Sequence, residues 1–235
     1  AYSVTGGREL IDGTGYGCKA GKTLIGGTAF TVPFSKGIPL NTITPGSILY
    51  LNESGSPVPF YIAKHDYESG LNGAGRTLVV RKDCYDMRAF SDGTNDYTSS
   101  QLGSWLNSAY LNLLTNAMKK MVRTTKLYSK QAVLERSVFQ LSLTELGKSN
   151  SNAYTEGAAL SIAAKLWIAY RNGGTVNQWT RTGHVRFNGS AFILASNGNA
   201  DWIPCGQSAG SRPAFTLPAA AAVIANADGT YTLAA

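Results

Sequence analysis

Two histidines, three cysteines and 14 carboxylates are the material that this chain of 235 residues offers for acid–base, nucleophilic or metal chemistry. His65 stands beside Asp66 and Glu68, a grouping that could bind a metal or serve as a general base. No third ligand follows at a metal-site spacing, so a surface histidine among acids is the simpler account. Cys205 has no neighbouring base, which a thiol nucleophile needs. A glycosidase requires two facing carboxylates. Asp201 is the only one between Thr175 and Phe215, and Asp83 or Asp86 could join it only from a distant segment. Phosphate-loop, dinucleotide and HExxH patterns are missing. We therefore expect neither catalysis nor a metal nor a cofactor.

What remains is recognition. The stretch that opens at Gln178-Trp179-Thr180-Arg181 and closes at Gly210-Ser211-Arg212-Pro213-Ala214-Phe215 is rich in Asn, Gly, Ser and aromatics. Contact surfaces have this composition: flat aromatic faces, with small amides and hydroxyls for adaptable hydrogen bonds. A pair of hairpin loops with ordinary turn residues would share it. On the first reading the ligand face comprises His184, Arg186, Phe187, Asn188, Phe192, Asn197, Asn199, Asp201 and Trp202. Trp202 would stack on a sugar ring or a protein side chain, and Arg186 would favour anionic or polar groups. Trp179 is expected half-packed beneath this face. Arg181 and Arg212 are expected buried, bracing the loops through backbone carbonyls, because one guanidinium satisfies several acceptors.

The elements that must position these residues read as follows. Pro33, Pro39 and Pro45 mark a boundary, after which 47–51, 58–64 and 77–82 suit strands. Thr98-Ser99-Ser100 offers an N-cap. Leu102, Trp105, Leu106, Ala109, Leu113 and Ala117 then recur at helical spacing. A second helix is expected across 154–170, where Ala158, Ala159, Ile162, Ala163, Leu166 and Trp167 precede Asn172-Gly173-Gly174. Asn188-Gly189 and Asn197-Gly198 signal hairpin turns, and residues 222–233 suit a final hairpin. Residues 1–40 contain a repeat at an offset of fourteen: Gly7-Arg8-Glu9-Leu10-Ile11-Asp12-Gly13-Thr14-Gly15-Tyr16 aligns with Gly21-Lys22-Thr23-Leu24-Ile25-Gly26-Gly27-Thr28-Ala29-Phe30. Two such copies bury little by themselves, so this β-rich arm should pack on the main domain or on a partner chain. We expect an α+β fold, with two main helices against a curved, mainly antiparallel sheet. The expected domains are an arm (1–40), a main domain (41–218) and a C-terminal hairpin tail (219–235).

The formal charge is +7. Its densest cluster, Lys119, Lys120, Arg123, Lys126 and Lys130, reads as a solvated helix end rather than a nucleic-acid footprint, since no aromatics interleave with it. Cys18, Cys84 and Cys205 are odd in number and far apart, as free thiols in a reducing cytoplasm would be. No run approaches the roughly 18 apolar residues of a membrane span. The start, Ala1-Tyr2-Ser3-Val4, lacks the features of a signal peptide.

Tyr97-Thr98-Ser99-Ser100, Ser104-Trp105-Leu106-Asn107, Leu141-Ser142-Leu143-Thr144-Glu145-Leu146-Gly147, Trp179-Thr180-Arg181-Thr182 and Ser211-Arg212-Pro213-Ala214-Phe215-Thr216-Leu217 occur in that order. The set resembles a family of uncharacterised domains common in prophages and secreted proteins of Gram-positive gut bacteria, which reads WLN, LLS-TE-G, WWLRSP and GVRPA. The arm, with Phe34-Ser35-Lys36-Gly37, resembles the leader of phage virion proteins that carry this domain. The resemblance implies a C-type-lectin-like, formylglycine-generating-enzyme-like fold, and its closing segment is similar to the variable region of retroelement-diversified proteins. It further implies a tail or fibre protein that recognises the host surface, made in the cytoplasm and carried on the virion. Gln178 and Thr182-Gly183 depart from the family pattern. The EPN and WND calcium signatures of true C-type lectins are absent, as is the cysteine pair of the oxidising enzymes.

Three readings follow. The first is a non-enzymatic adhesin that binds a host glycan or protein and contacts other virion subunits. It would be a homo-oligomer, a trimer among the options, without nucleic-acid or membrane partners. The second is a structural virion subunit, and the third a cell-wall glycan hydrolase.

Overall fold

The computed structural model describes residues 37–234, together with the main chain of four short strands before them. In the arm, Arg8–Ile11 pairs with Thr14–Gly17 and Lys22–Ile25 pairs with Thr28–Thr31, both antiparallel. Arg8 faces Gly17 and Lys22 faces Thr31, so the sequence repeat is also a repeat of pairing. Cys18, and any docking role of the arm, lie outside the described residues. By compactness the chain divides into Ala1–Gly37 and Ile38–Ala235.

The second unit is built on strands. Its largest sheet has eight, in the order Val138–Phe139, Ala214–Pro218, Arg76–Arg81, Ser56–His65, Ile48–Glu53, Tyr231–Leu233, Ala222–Ala225 and Ile38–Pro39. All neighbours are antiparallel except Tyr231–Leu233 beside Ile48–Glu53. The expected tail hairpin is thus woven into the main sheet. A second sheet has five strands: Ala200–Pro204, Ser190–Leu194, Gln178–Gly183, Ser208–Ser211 and Asp86–Ala89. Arg76–Arg81 carries the continuous apolar run Leu78-Val79-Val80, all fully buried, as a central strand covered on both faces should be. Phe60 and Phe215 meet edge to face at 5.4 Å within the large sheet. Leu102, Leu106 and Tyr110 present the buried face of the helical segment to one continuous core.

The α+β expectation is overturned. Strand makes up 41% of the structure and helix 15%, so the protein is mainly β with several sheets. Among the described residues one helical run reaches 13 residues, from Gln101 to Leu113. It starts where Ser100 Oγ accepts the Gly103 N–H at 3.0 Å. A short helix, Asn116–Met121, follows with Thr115 as its cap. The second long helix does not exist: 154–170 holds only a 3-10 turn at Ala163–Leu166 and the start of strand Ala169–Arg171. Gly157 adopts φ +79°, outside helical space. The backbone donors turn elsewhere, the Glu156 N–H to Thr144 Oγ1 and the Leu160 N–H to the Glu145 carbonyl. Leu160, Ile162, Ala163 and Leu166 are buried nonetheless. Their spacing reflects burial of an irregular segment, not a helical period. With one long helix and two principal sheets, the C-type-lectin-like architecture is also set aside. No helix is long and apolar enough to cross a membrane among the described residues.

Truncating Phe215 to Ala should cost about 3–5 kcal/mol, because the site is fully enclosed and cannot collapse around the loss. Urea unfolding of the variant measures it.

Candidate functional site

The strand Gln178–Gly183 is buried along its whole length. Trp179 is 1% exposed, its indole N–H donating to the Arg88 carbonyl at 2.8 Å. It is therefore core, not a half-packed support. Arg181 is the centre of a closed polar network. Its Nη1 and Nη2 donate to Glu145 Oε2 and Oε1 at 2.6 and 2.9 Å, and both side chains are completely buried. Nε reaches the Tyr128 carbonyl and Nη1 also the Gln140 carbonyl. The Tyr67 hydroxyl donates to Glu145 Oε1, and Glu145 Oε2 accepts the Ser142 N–H. Thr182 carries the network on by donating to Glu156 Oε2. Burial, the largest single influence, opposes the charge on Arg181, but Glu145, Tyr67 and Glu156 together outweigh it and the guanidinium pKa rises. Burial, then Glu145, lifts the Tyr67 phenol well above its usual value. Burial likewise raises the Glu156 carboxyl.

Arg212 is 3% exposed and has no carboxylate partner among the described residues. It donates to the carbonyls of Arg81, Lys82 and Leu166 and to Gln178 Oε1. Desolvation lowers its pKa. It stitches the two sheets together where the chain passes from Ser208–Ser211 into Ala214–Pro218.

Beyond Gly183 the chain enters a tight loop, held by a side chain that the sequence did not flag. Asn95 is 1% exposed. Its amide donates to the carbonyls of His184 (2.8 Å), Phe187 (3.0 Å) and Ser190 (2.9 Å), and its own N–H donates to the Asn188 carbonyl. This approach is why position 183 is glycine: a Cβ there would sit 2.6 Å from the Asn95 carbonyl oxygen. Inside the loop, Nδ1 of His184 accepts the N–H groups of Arg186 and Phe187 at 3.1 and 3.2 Å.

The result is an aromatic cluster. His184 lies 4.6 Å from Phe187, 5.6 Å from Phe192 and 5.0 Å from Trp202, centroid to centroid. Phe187 and Trp202 touch at 5.3 Å. His184 and Phe192 are sealed beneath, at 2% and 0% exposure, while Phe187 and Trp202 stand at 51% and 40%. Arg186 and Asn188 are exposed on the same loop. Of the expected face, the structure thus gathers His184, Phe187, Phe192 and Trp202, with Arg186 and Asn188 alongside. His184 and Phe192 support the surface from below and do not form it.

The other three expected residues stand apart. Asn197 and Asn199 form the tip of the hairpin, where Asn197 Oδ1 accepts the Asn199 N–H. Gly198 between them, at φ +82°, packs on Trp167 and Ile168. Asn199 is about 10 Å along the strand from Trp202. Asp201 projects to the opposite side of the strand from Trp202, in register with Ile193, and its Oδ1 accepts the Trp202 N–H. Cys205 is buried, with burial pushing its thiol up to about 11. His65 is held between Thr77 Oγ1 and the Ile43 carbonyl. Among the described residues no group of three or more His, Cys, Asp or Glu side chains is placed to hold a metal ion.

The family defined as DUF6273, a domain of unknown function, matches residues 74–219. This chain belongs to the DUF6273 family. The matched region contains both buried arginines, Glu145, Asn95 and the aromatic loop, so the face and all of the polar network but Tyr67 lie in the DUF6273 part of the chain. No curated protein and no solved structure matches.

Replacing Glu145 by Ala leaves Arg181 buried without a counter-charge and should cost about 3–5 kcal/mol in denaturant unfolding. Asn95→Ala strips donors from three main-chain carbonyls, two of them buried, and should cost about 1–3 kcal/mol. In that variant amide protection should be lost chiefly over 184–190, which hydrogen exchange reads directly.

Proposed function

We propose that this DUF6273 protein is a non-enzymatic adhesin of a phage particle, binding a host-surface ligand through Phe187 and Trp202. The observation that carries this reading is the exposure of two large aromatic rings in mutual contact, Phe187 on a loop fixed from below by Asn95 and His184 and Trp202 on the neighbouring strand Ala200–Pro204. Rings presented rigidly lose little conformational entropy on contact, so their burial translates efficiently into affinity. Val185, 44% exposed, extends the apolar area, while Arg186 and Asn188 give it a polar rim. A sugar ring or an apolar side chain fits the rings, and an anionic group fits Arg186. The virion setting rests on the resemblance of the arm and of the ordered motifs, and the retroelement-diversified character of the closing segment is part of the same proposal.

A second reading, a structural virion subunit, draws on a different surface. Tyr128 and Val133 face each other across the hairpin Thr125–Ser129/Ala132–Arg136, at 38% and 52% exposure. An exposed cross-strand pair of this kind suits a contact between subunits.

Alanine at Trp202 or Phe187 should reduce attachment to a panel of Gram-positive gut strains by tenfold or more, about 2 kcal/mol per ring. Arg186→Ala should weaken attachment and its salt dependence together. The unfolding transition should move little in each. Binding that survives all three changes overturns this reading. Loss of binding on Tyr128→Ala with Val133→Ala instead moves the function to the hairpin.

A further inference from the structure

His184 is oriented for a task that stacking alone does not require. Its Nδ1 accepts two successive backbone N–H groups, those of Arg186 and Phe187. A ring nitrogen that accepts carries no proton, so the imidazole is neutral with its hydrogen on Nε2. The ring does here what an Asn or Asp side chain does in an Asx turn, capping donors two and three residues ahead. A proton placed on Nδ1 would point a third donor at two donors already present, with no acceptor among them. The turn could not survive that in its present form, and the turn is what sets Phe187 against Trp202.

The surroundings make this centre selective for the neutral ring. His184 is 2% exposed, enclosed by Phe187, Phe192 and Trp202. From the loop itself comes Arg186, a positive charge that opposes protonation. The strands Ser190–Leu194 and Ala200–Pro204 contribute the rings of Phe192 and Trp202. Asp201 on the latter is directed to the opposite side and accepts the Trp202 N–H. The segment of Asn95 contributes its amide to the His184 carbonyl, and the adjacent Asp96 is engaged with the Thr98 N–H. Asn152 and Ala153 approach through their main chain. Among the described residues, no carboxylate acts on the ring to stabilise a positive charge.

We propose that the loop 184–190 is an acid-released latch: protonation of His184 undoes the turn that holds Phe187 on Trp202 and disperses the exposed aromatic pair. Its use as control of attachment rests on the function proposed above; the latch itself does not. Burial first, and Arg186 second, hold the imidazole pKa below its ordinary value of 6.5. The sign follows. The unfolded loop binds the proton more readily than the folded one, so the stability that His184 lends is complete above about 6.5 and declines as pH falls through the lowered folded value.

The test reads the loop directly in the full chain, without a ligand. Nitrogen-15 NMR of the imidazole at pH 7.5 should show Nδ1 unprotonated and Nε2 protonated. Between pH 7.5 and 4.5 the protection factors of the Arg186 and Phe187 amides should drop by about tenfold or more, an opening coupled to one proton. Trp202 fluorescence should change along the same curve. His184→Asn supplies a side-chain oxygen at the same position in the turn but does not titrate, so its loop should remain protected across the range. A proton found on Nδ1 at neutral pH, or protection at 186 and 187 that stays constant to pH 4.5 in the natural protein, overturns the proposal. Those measurements decide the matter even if the Asn variant fails to fold. A latch that opens as described in a protein that adheres to no strain would sink the adhesin reading and leave the latch standing.

Discussion

The buried pairing of Arg181 with Glu145 is the contact on which the rest of the domain turns. Two full charges lie at zero exposure, a placement that costs several kcal/mol per ion before any partner is counted. The cost is offset because almost every polar atom there has a partner and the geometry is a two-point fork. Apolar residues of similar volume could have filled the same space with equal stability. What they could not do is fix register. The fork clamps the strand Gln178–Gly183 to the segment 140–145, while Tyr67 and the Tyr128 carbonyl tie in two further parts of the chain. Thr182 and Glu156 extend the clamp to within two residues of the aromatic loop. The face is rigid because the strand leading into it cannot slide.

The loop repeats the same logic on a smaller scale. Asn95 gathers four main-chain groups of residues 184–190, and His184 gathers two more from within. Such a loop spends its polar main-chain groups internally and leaves aromatic surface outside, the reverse of an ordinary solvent loop. That division fits a binding part better than a connecting one.

What could be read from the chain, and what could not, follows the range of the interactions. The cap at Ser100 and the apolar run in Arg76–Arg81 were legible because each depends on residues a few positions apart. The hairpin at Asn197-Gly198 was legible for the same reason. Arg181 and Arg212 could be recognised as bracing residues from type alone, since a guanidinium among small polar residues has few other uses. Glu145 could not be named as partner, 36 positions away. Nor could Asn95 be picked from among other asparagines, because its acceptors lie about ninety residues on. The helix across 154–170 was misread because alanine and leucine at suitable intervals satisfy a helical count whether or not the backbone is helical. Gly157 was the contrary sign, a left-handed residue in the first turns of the supposed helix. At the face, chemical type was legible but depth was not: His184 and Trp202 look equally like surface residues in a loop-rich stretch, and only the fold places one beneath the other.

The edge of the eight-stranded sheet carries one more implication. Val223 stands directly between Ile38 and Leu233, each its register partner on one side. The strands of Ile38 and Leu233 are therefore two strand spacings apart, about 10 Å. The unit can be grafted into a host chain through a short linker pair, or cut open at a surface turn and rejoined at that edge, without redrawing any strand order. A permuted version opened near Gly73 should keep its shape for that reason.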